Sequence, residues 1–142
     1  TLNDFIGGEI KRAIVECAEQ SKPDLILVEG QSALRNPSGP CGAEFILSGD
    51  IKHIVLQHAP GRTYYDDDER IGVPLPPIES EIELIRMYGA EVLAVTLSEE
   101  GLSEIEMLHF KKELEIKTNI PVIRPLKEGV ENLIPLIEHL IE

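Results

Sequence analysis

Four short apolar runs, Asp24–Val28, His53–Gln57, Glu91–Thr96 and Pro121–Ile123, alternate with stretches of helical periodicity along the chain. The runs are continuous rather than alternating, so both faces of each strand ask for cover, and strands joined through helices run parallel. The pattern predicts an α/β fold in three layers, a mostly parallel sheet with helices on both faces and right-handed crossovers. The intervening helices are legible too. Ile6, Ile10, Ile14 and Cys17, with Ala13 beside them, recur at helical spacing behind a cap at Asn3 or Asp4. Ala43–Leu47 is a short helix. Ile78, Ile82 and Ile85 mark one face of the next, entered through Pro76 and Pro77. Ser103 and Glu106 make a capping-box pattern for a helix running to Thr118. The last helix carries Val130, Leu133, Ile134, Ile137, Leu140 and Ile141, and Pro135 fits only in its first turn. Gly7-Gly8 in the first helix marks either a close approach or a frayed start.

The chain has 142 residues, one domain's length, and 42% apolar content supports a core. Its formal charge of −13 argues against nucleic acid or an anionic membrane as a partner. No apolar run reaches the roughly 20 residues of a membrane span. Two separated cysteines, Cys17 and Cys41, predict a reduced, cytoplasmic protein. The chain opens on Thr1 just before a helix, with no strand ahead of it, which predicts a fragment of a longer protein.

In an open parallel sheet a ligand binds outside the carboxyl ends of the strands. Those ends carry Glu29, Gly30, Gln31 and Ser32; His58, Pro60, Gly61 and Arg62; Ser98, Glu99 and Glu100; and Arg124, Pro125 and Leu126. Glu29, directly after an apolar strand, is placed to bind magnesium through water, or else to accept bonds from a neighbouring helix start. Gly30 leaves the ligand's approach open. Arg62, always charged and fork-shaped, suits a carboxylate or phosphate; the alternative is a surface arginine. His58 is a base or a ligand, or merely a hydrogen-bonded strand end. His53, His109 and His139 show no metal-ligand spacing. Cys41, between glycines at a helix start, supports a rival reading as a nucleophile, with no base assigned by spacing. Asp66-Asp67-Asp68-Glu69 lies in the long connection Gly61–Pro77, a lid-like segment, and lacks the glycine and final glutamate of a calcium loop.

The stretches "DFIGGEI", "DLILVEGQ", "HAPGR", "GLS" and "IPVIRPLKEG", in this order, resemble the C-terminal domain of a formerly uncharacterised family that includes D-glutamate N-acetyltransferase. That domain is similar in fold to the phosphate-loop NTPases and to dethiobiotin synthetase. The resemblance covers residues 1–142 and implies roles by position. Asp4 matches an acid on the nucleotide side. Glu29 matches the magnesium-side acid, with Gly30 and Gln31 beside it. Arg62 matches the arginine of the "GR" ending, and Pro125 and Leu126 match the loop near the nucleotide base. It also implies Mg2+ and ATP as cofactors, with acetyl-CoA as an alternative acyl donor.

The departures are specific. GxxxxGK followed by serine or threonine is absent, and in the family it lies upstream of this domain. "QGSL" becomes Gln31-Ser32-Ala33-Leu34, the following histidine-proline becomes Asn36-Pro37, and Ser98 replaces an asparagine. The expected function is the C-terminal portion of a magnesium–nucleotide enzyme that transfers an acyl group, or forms an amide, on a small amino-acid-like substrate. Arg62 and His58 would be catalytic, and the partners would be the N-terminal portion or a second copy in a homo-oligomer. The alternatives are a non-catalytic nucleotide-binding or regulatory module and a Cys41-dependent enzyme.

Overall fold

The computed structural model describes residues 3–30, 32–39 and 42–141, with side chains from residue 5 onward. Helix α1 (Asn3–Ser21) follows the isoleucine spacing: Ile6, Ile10 and Ile14 are half-buried, while Ala13 and Cys17 face solvent. Its expected caps, the side chains of Asn3 and Asp4, lie outside the described residues. α1 packs on α2 (Gly42–Ser48). Gly7 lies at that contact, because a Cβ there would come within 2.8 Å of Ser48 Oγ, whereas one on Gly8 meets nothing within 4 Å. Only the first glycine of the pair therefore reflects a close approach, and it is to a side chain.

Strands β1 (His53–His58), β2 (Glu91–Leu97) and β3 (Val122–Ile123) form a parallel sheet in the order β1-β2-β3. His53 lies opposite Glu91 and His58 opposite Leu97, and a slip between Ile54 and Val55 leaves Leu93 as an extra residue on β2. β2 is central and fully buried from Ala94 to Leu97. Helices α3 (Ile78–Met87) and α4 (Glu104–Thr118) send Ile78, Ile82, Met107 and Leu114 into one core with Val95, Leu97 and Val122. Each such burial contributes about 1.5–3 kcal/mol. α4 begins on a complete capping box at Ser103 and Glu106 and ends on Asn119 in the left-handed conformation. Two short helices follow, α5 (Pro125–Glu128) and α6 (Ile134–Glu138), with Pro135 in the first turn of α6 as its ring requires. Among the described residues no helix is long and apolar enough to cross a membrane.

Three expectations are corrected. The last helix is shorter than its apolar spacing suggests, since α6 spans only Ile134–Glu138 and leaves Val130, Leu133, Leu140 and Ile141 outside it. Asp24–Val28 is not a strand: it belongs to no ladder, and Leu27 is 80% exposed. An apolar run becomes a strand only when a neighbour takes its backbone hydrogen bonds, and no described strand lies beside this one. β1, expected to be covered on both faces, alternates instead, with His53, Val55 and Gln57 exposed and Ile54, Leu56 and His58 half-buried. The connection Gly61–Pro77 is partly ordered by its own contacts. Tyr65 is buried, Leu75 N donates to Thr63 O at 2.9 Å, and Tyr64 bridges to Pro74 in antiparallel fashion.

The turns after β1 and β2 meet backbone to backbone. A Cβ on Gly61 would overlap the Glu100 carbonyl oxygen and lie 2.8 Å from Gly101 Cα. Gly61→Ala is therefore expected to destabilise the fold by about 1–3 kcal/mol, the usual cost of forced overpacking. Gly8→Ala, in an open helical position, should stabilise it by about 0.5–1 kcal/mol. Urea midpoints of the two variants test the contrast, and equal effects would contradict it.

Candidate functional site at the outgoing strand ends

Because the sheet is parallel, the last residues of β1 and β2 arrive at the same rim. Ser98 N donates to His58 O at 2.8 Å and ties the two exits together. The chain leaves β1 through a turn in which Arg62 N donates to Ala59 O at 3.1 Å, bringing the arginine back beside His58. A cavity of about 880 Å3 runs along the outer edge of β1, and Glu29, Gly30, His58, Arg62, Ser98 and Glu100 all line it. A second cavity of about 380 Å3 opens between the starts of α3 and the far half of α4, lined by His58, Arg62, Glu79, Phe110 and Lys117. The His58–Arg62 turn stands between the two.

His58 stacks on Phe110 with ring centroids 5.6 Å apart. Burial lowers its pKa below the ordinary 6.5, against a smaller opposing pull from Glu79, so the imidazole is neutral at pH 7. Glu79 is itself paired with Lys117, and that lysine holds its carboxyl below the usual range. Arg62 is occupied by Glu100, its Nε donating to Oε2 at 3.0 Å. With side chains 36% and 62% exposed, that pair is a surface ion pair. Such pairs contribute about 0–1 kcal/mol, so an incoming carboxylate or phosphate can replace Glu100 at little cost.

Arg124 is the cation that cannot be displaced in this way. Its side chain is 2% exposed and makes two bidentate forks. Nε and an Nη donate to Glu99 at 2.8 and 2.7 Å, and both Nη atoms donate to Glu104 at 2.7 Å. Glu99 follows β2, Glu104 opens α4, and Arg124 follows β3, so one guanidinium fastens two strand exits to the head of a helix.

The sequence brought several of its candidates to this rim and left others away from it. Glu29, Gly30, His58 and Arg62 share one cavity, and Glu29 stands exposed rather than sealed. Pro125 opens α5 and Leu126 is 83% exposed, and neither lines either cavity. Gln31, Cys41 and the side chain of Asp4 lie outside the described residues. The acidic tract is used locally: Asp66 accepts from the buried Asn36 at 3.1 Å, and Asp68 holds Arg70. Among the described residues no three histidine, cysteine or carboxylate side chains are grouped to hold a metal ion. Magnesium is ordinarily held by one or two carboxylates together with phosphates and water, and Glu29 fits that lesser share. Sequence reasoning missed Lys117, Glu79 and Phe110, which lie on helices and carry no motif. It also missed the structural use of Arg124, whose only hint was a cation after β3 matched by acids after β2.

The Arg124 forks have a pH signature. The guanidinium lowers the carboxyls of Glu99 and Glu104 below their usual 4.5. Their contribution is complete above pH 4.5 and is lost as pH falls through the lowered values. His58 acts in the same direction, since acid must charge a buried ring below pH 6.5. The urea midpoint should therefore fall from pH 7 to pH 3, and Glu99→Gln should flatten the lower part of that decline. An unchanged acid limb in Glu99→Gln would contradict the assignment.

Comparison with known proteins agrees with this fold. A solved structure of a DUF1611 family protein from Anabaena variabilis superposes with a TM-score of 0.82 at 20% identity, over 98% of this chain and 42% of that one. The chain thus spans well under half of that relative's length. None of the curated proteins compared gives a significant match. A family model described as "Domain of unknown function (DUF1611_C) P-loop domain" matches residues 1–134. The chain, matched over nearly its whole length, belongs to that DUF1611 P-loop domain family.

Proposed function

We propose that this domain supplies the C-terminal half of a magnesium–nucleotide site in an enzyme that transfers an acyl group to, or forms an amide on, a small amino-acid-like substrate. A D-glutamate N-acetyltransferase-like reaction is its concrete form. The reading rests on one observation: Glu29, Gly30, His58, Arg62 and Ser98, drawn from three separate stretches of chain, line the single cavity that runs along the outer edge of β1. A sheet with a purely structural role has no need to gather an acid, a base and a replaceable arginine there.

In this proposal each residue has one task. Glu29 holds Mg2+ through water, and the cation supplies charge neutralisation for the nucleotide phosphates when bound. Arg62 leaves Glu100 and forks onto the substrate carboxylate, fixing its orientation. His58, neutral at pH 7, accepts the proton released as the substrate amine attacks the acyl carbon, while the bond from that carbon to the donor's thiolate sulfur or phosphate oxygen breaks and the donor leaves with the electron pair. Gly30 keeps the approach to the phosphates open. Gln31, Asp4, Pro125 and Leu126 remain with the nucleotide in this reading, on the strength of the resemblance alone. No glycine-rich phosphate loop lies within residues 1–142, so the phosphate cradle belongs to a further segment, within a completed three-layer fold. Acetyl-CoA is the acyl donor if the nucleotide is only bound. The compartment is cytoplasmic.

The test is binding of ATP to the full-length protein with and without Mg2+. Glu29→Ala should weaken the magnesium-dependent part at least tenfold, about the scale on which loss of even an outer-shell partner weakens a metal site. Arg62→Ala should leave nucleotide affinity within about twofold and reduce turnover through a raised KM for the carboxylate substrate. Full magnesium dependence in Glu29→Ala would remove that residue from the proposal.

A further inference from the structure

The smaller cavity has a wall in common with the larger one. His58, Arg62, Leu75, Pro76 and Ile78 line both, and His58 and Arg62 are the polar members of that wall. At about 380 Å3 the smaller space lies near the low end of the roughly 300–1,000 Å3 of small-molecule sites, and the larger, at about 880 Å3, near the top. Leu75, Phe110 and Leu114 give the smaller cavity an apolar side. Its charged members besides Arg62 are Glu79, Glu113 and Lys117, so cations and carboxylates balance around a neutral His58. These charges are held in exchangeable pairs. Lys117 rests on Glu79 and Arg62 on Glu100. Lys117 also feels a second carboxylate, Glu113, one helical turn earlier on α4. Glu79 can therefore be released without stranding a charge.

We propose that the smaller cavity is the acceptor site, and that it takes a free α-amino acid as its zwitterion. The ammonium sits on Glu79, the carboxylate on Arg62, and the aliphatic carbons lie against Phe110 and Leu114. The ligand's role as acyl acceptor rests on the reading above; its place, and the residue that holds its nitrogen, do not. A ligand with one charge of each sign lets every pair exchange at once. Arg62 trades Glu100 for the carboxylate, Glu79 trades Lys117 for the ammonium, and Lys117 takes Glu113. Glu100, 62% exposed, returns to water. A plain carboxylic acid would bring an anion beside Glu79 and Glu113 with no cation to offset it, and a plain amine would leave Arg62 on Glu100. Seated in this way, the acceptor nitrogen lies on the small-cavity side of His58 and the acyl donor on the large-cavity side. The imidazole then stands between the two reactants, where a proton acceptor for amine attack has to be. Glu79 already acts on that ring through its charge, so a nitrogen held by Glu79 is delivered to it. Glu79 is thus a substrate-binding residue, and Lys117 is its counter-ion at rest.

The test uses the full-length protein with isotope-labelled leucine methyls and phenylalanine rings. Alanine, leucine and glutamate, each as both enantiomers, are titrated in beside their amine-free counterparts propionate, isocaproate and glutarate, with and without Mg2+ and ATP. Phe110 and Leu114 report on the smaller cavity alone and Leu27 on the larger alone. At least one amino acid should saturate, shifting Phe110 and Leu114 and leaving Leu27 unmoved. Its amine-free counterpart should bind at least about tenfold more weakly, the worth of one charge-assisted hydrogen bond. Glu79→Gln should bring the two within about twofold of each other, whereas Lys117→Gln, which only frees Glu79, should keep the preference. Saturation by none of the amino acids under either condition would overturn the proposal. So would amino-acid shifts confined to Leu27, or a preference for the amine that survives Glu79→Gln. Amino-acid binding that persists where Mg2+ and ATP give no response upholds this site and overturns the nucleotide reading alone.

Discussion

One buried guanidinium holds the exits of this fold in place. Arg124 is almost wholly enclosed, and its two forks engage Glu99 after β2 and Glu104 at the head of α4. A charge that far from water is tolerable only when its donors are met by anions in good geometry, and four short bonds meet them here. The pairing fixes where β2 and β3 end relative to one another and where α4 begins. α4 in turn positions Phe110 against His58 and carries Lys117 to the start of α3. The geometry of the rim therefore depends on an ion pair that does not itself touch the large cavity.

The opposite side of the sheet is organised by what is unpaired. β2 is buried on both faces, whereas β1 shows one face and one edge to an apolar groove. Exposed backbone edges are usually shortened, charged or covered, because they recruit other strands. Here the edge carries Val55 and faces Leu27, with no lysine or proline on the strand to discourage pairing. Arg62 and Glu100, a weak surface pair, sit at the end of the same groove. The domain thus combines a half fastened by the Arg124 ion pairs with a half whose strand edge faces an open cavity.

Much of this was legible in the sequence, for identifiable reasons. Helical periods survive in any context, so the isoleucine stripes of α1 and α3 and the Ser103–Glu106 box read correctly from residue type alone. The runs at His53, Glu91 and Pro121 became strands because each has a ladder partner. Asp24–Val28 has the same composition and no partner, and composition cannot report whether a neighbour is present. Gly61 was visible as a turn residue but not as the point where two backbones touch, since Gly101 is forty residues away. Among site residues, His58 and Arg62 could be found because strand ends in a parallel sheet converge, whereas Glu29 reaches the same cavity from a segment that joins no strand. Phe110, Lys117 and Glu79 could not, because they reach the rim from helix faces that show only ordinary amphipathic spacing. Arg124 looked like one more strand-end cation; its burial follows from packing that no local pattern encodes.

The central claim is that a magnesium–nucleotide sits at the outgoing ends of these parallel strands, with Glu29 on the metal side and His58 and Arg62 on the substrate side. The most direct measurement is a crystal structure of the full-length protein grown with Mg2+ and a non-hydrolysable ATP analogue. The account predicts the cation within water-bridged reach of Glu29 and the terminal phosphate in the cavity beside His58 and Arg62. A nucleotide bound at the incoming ends of the strands, or a cation with no connection to Glu29, would contradict it.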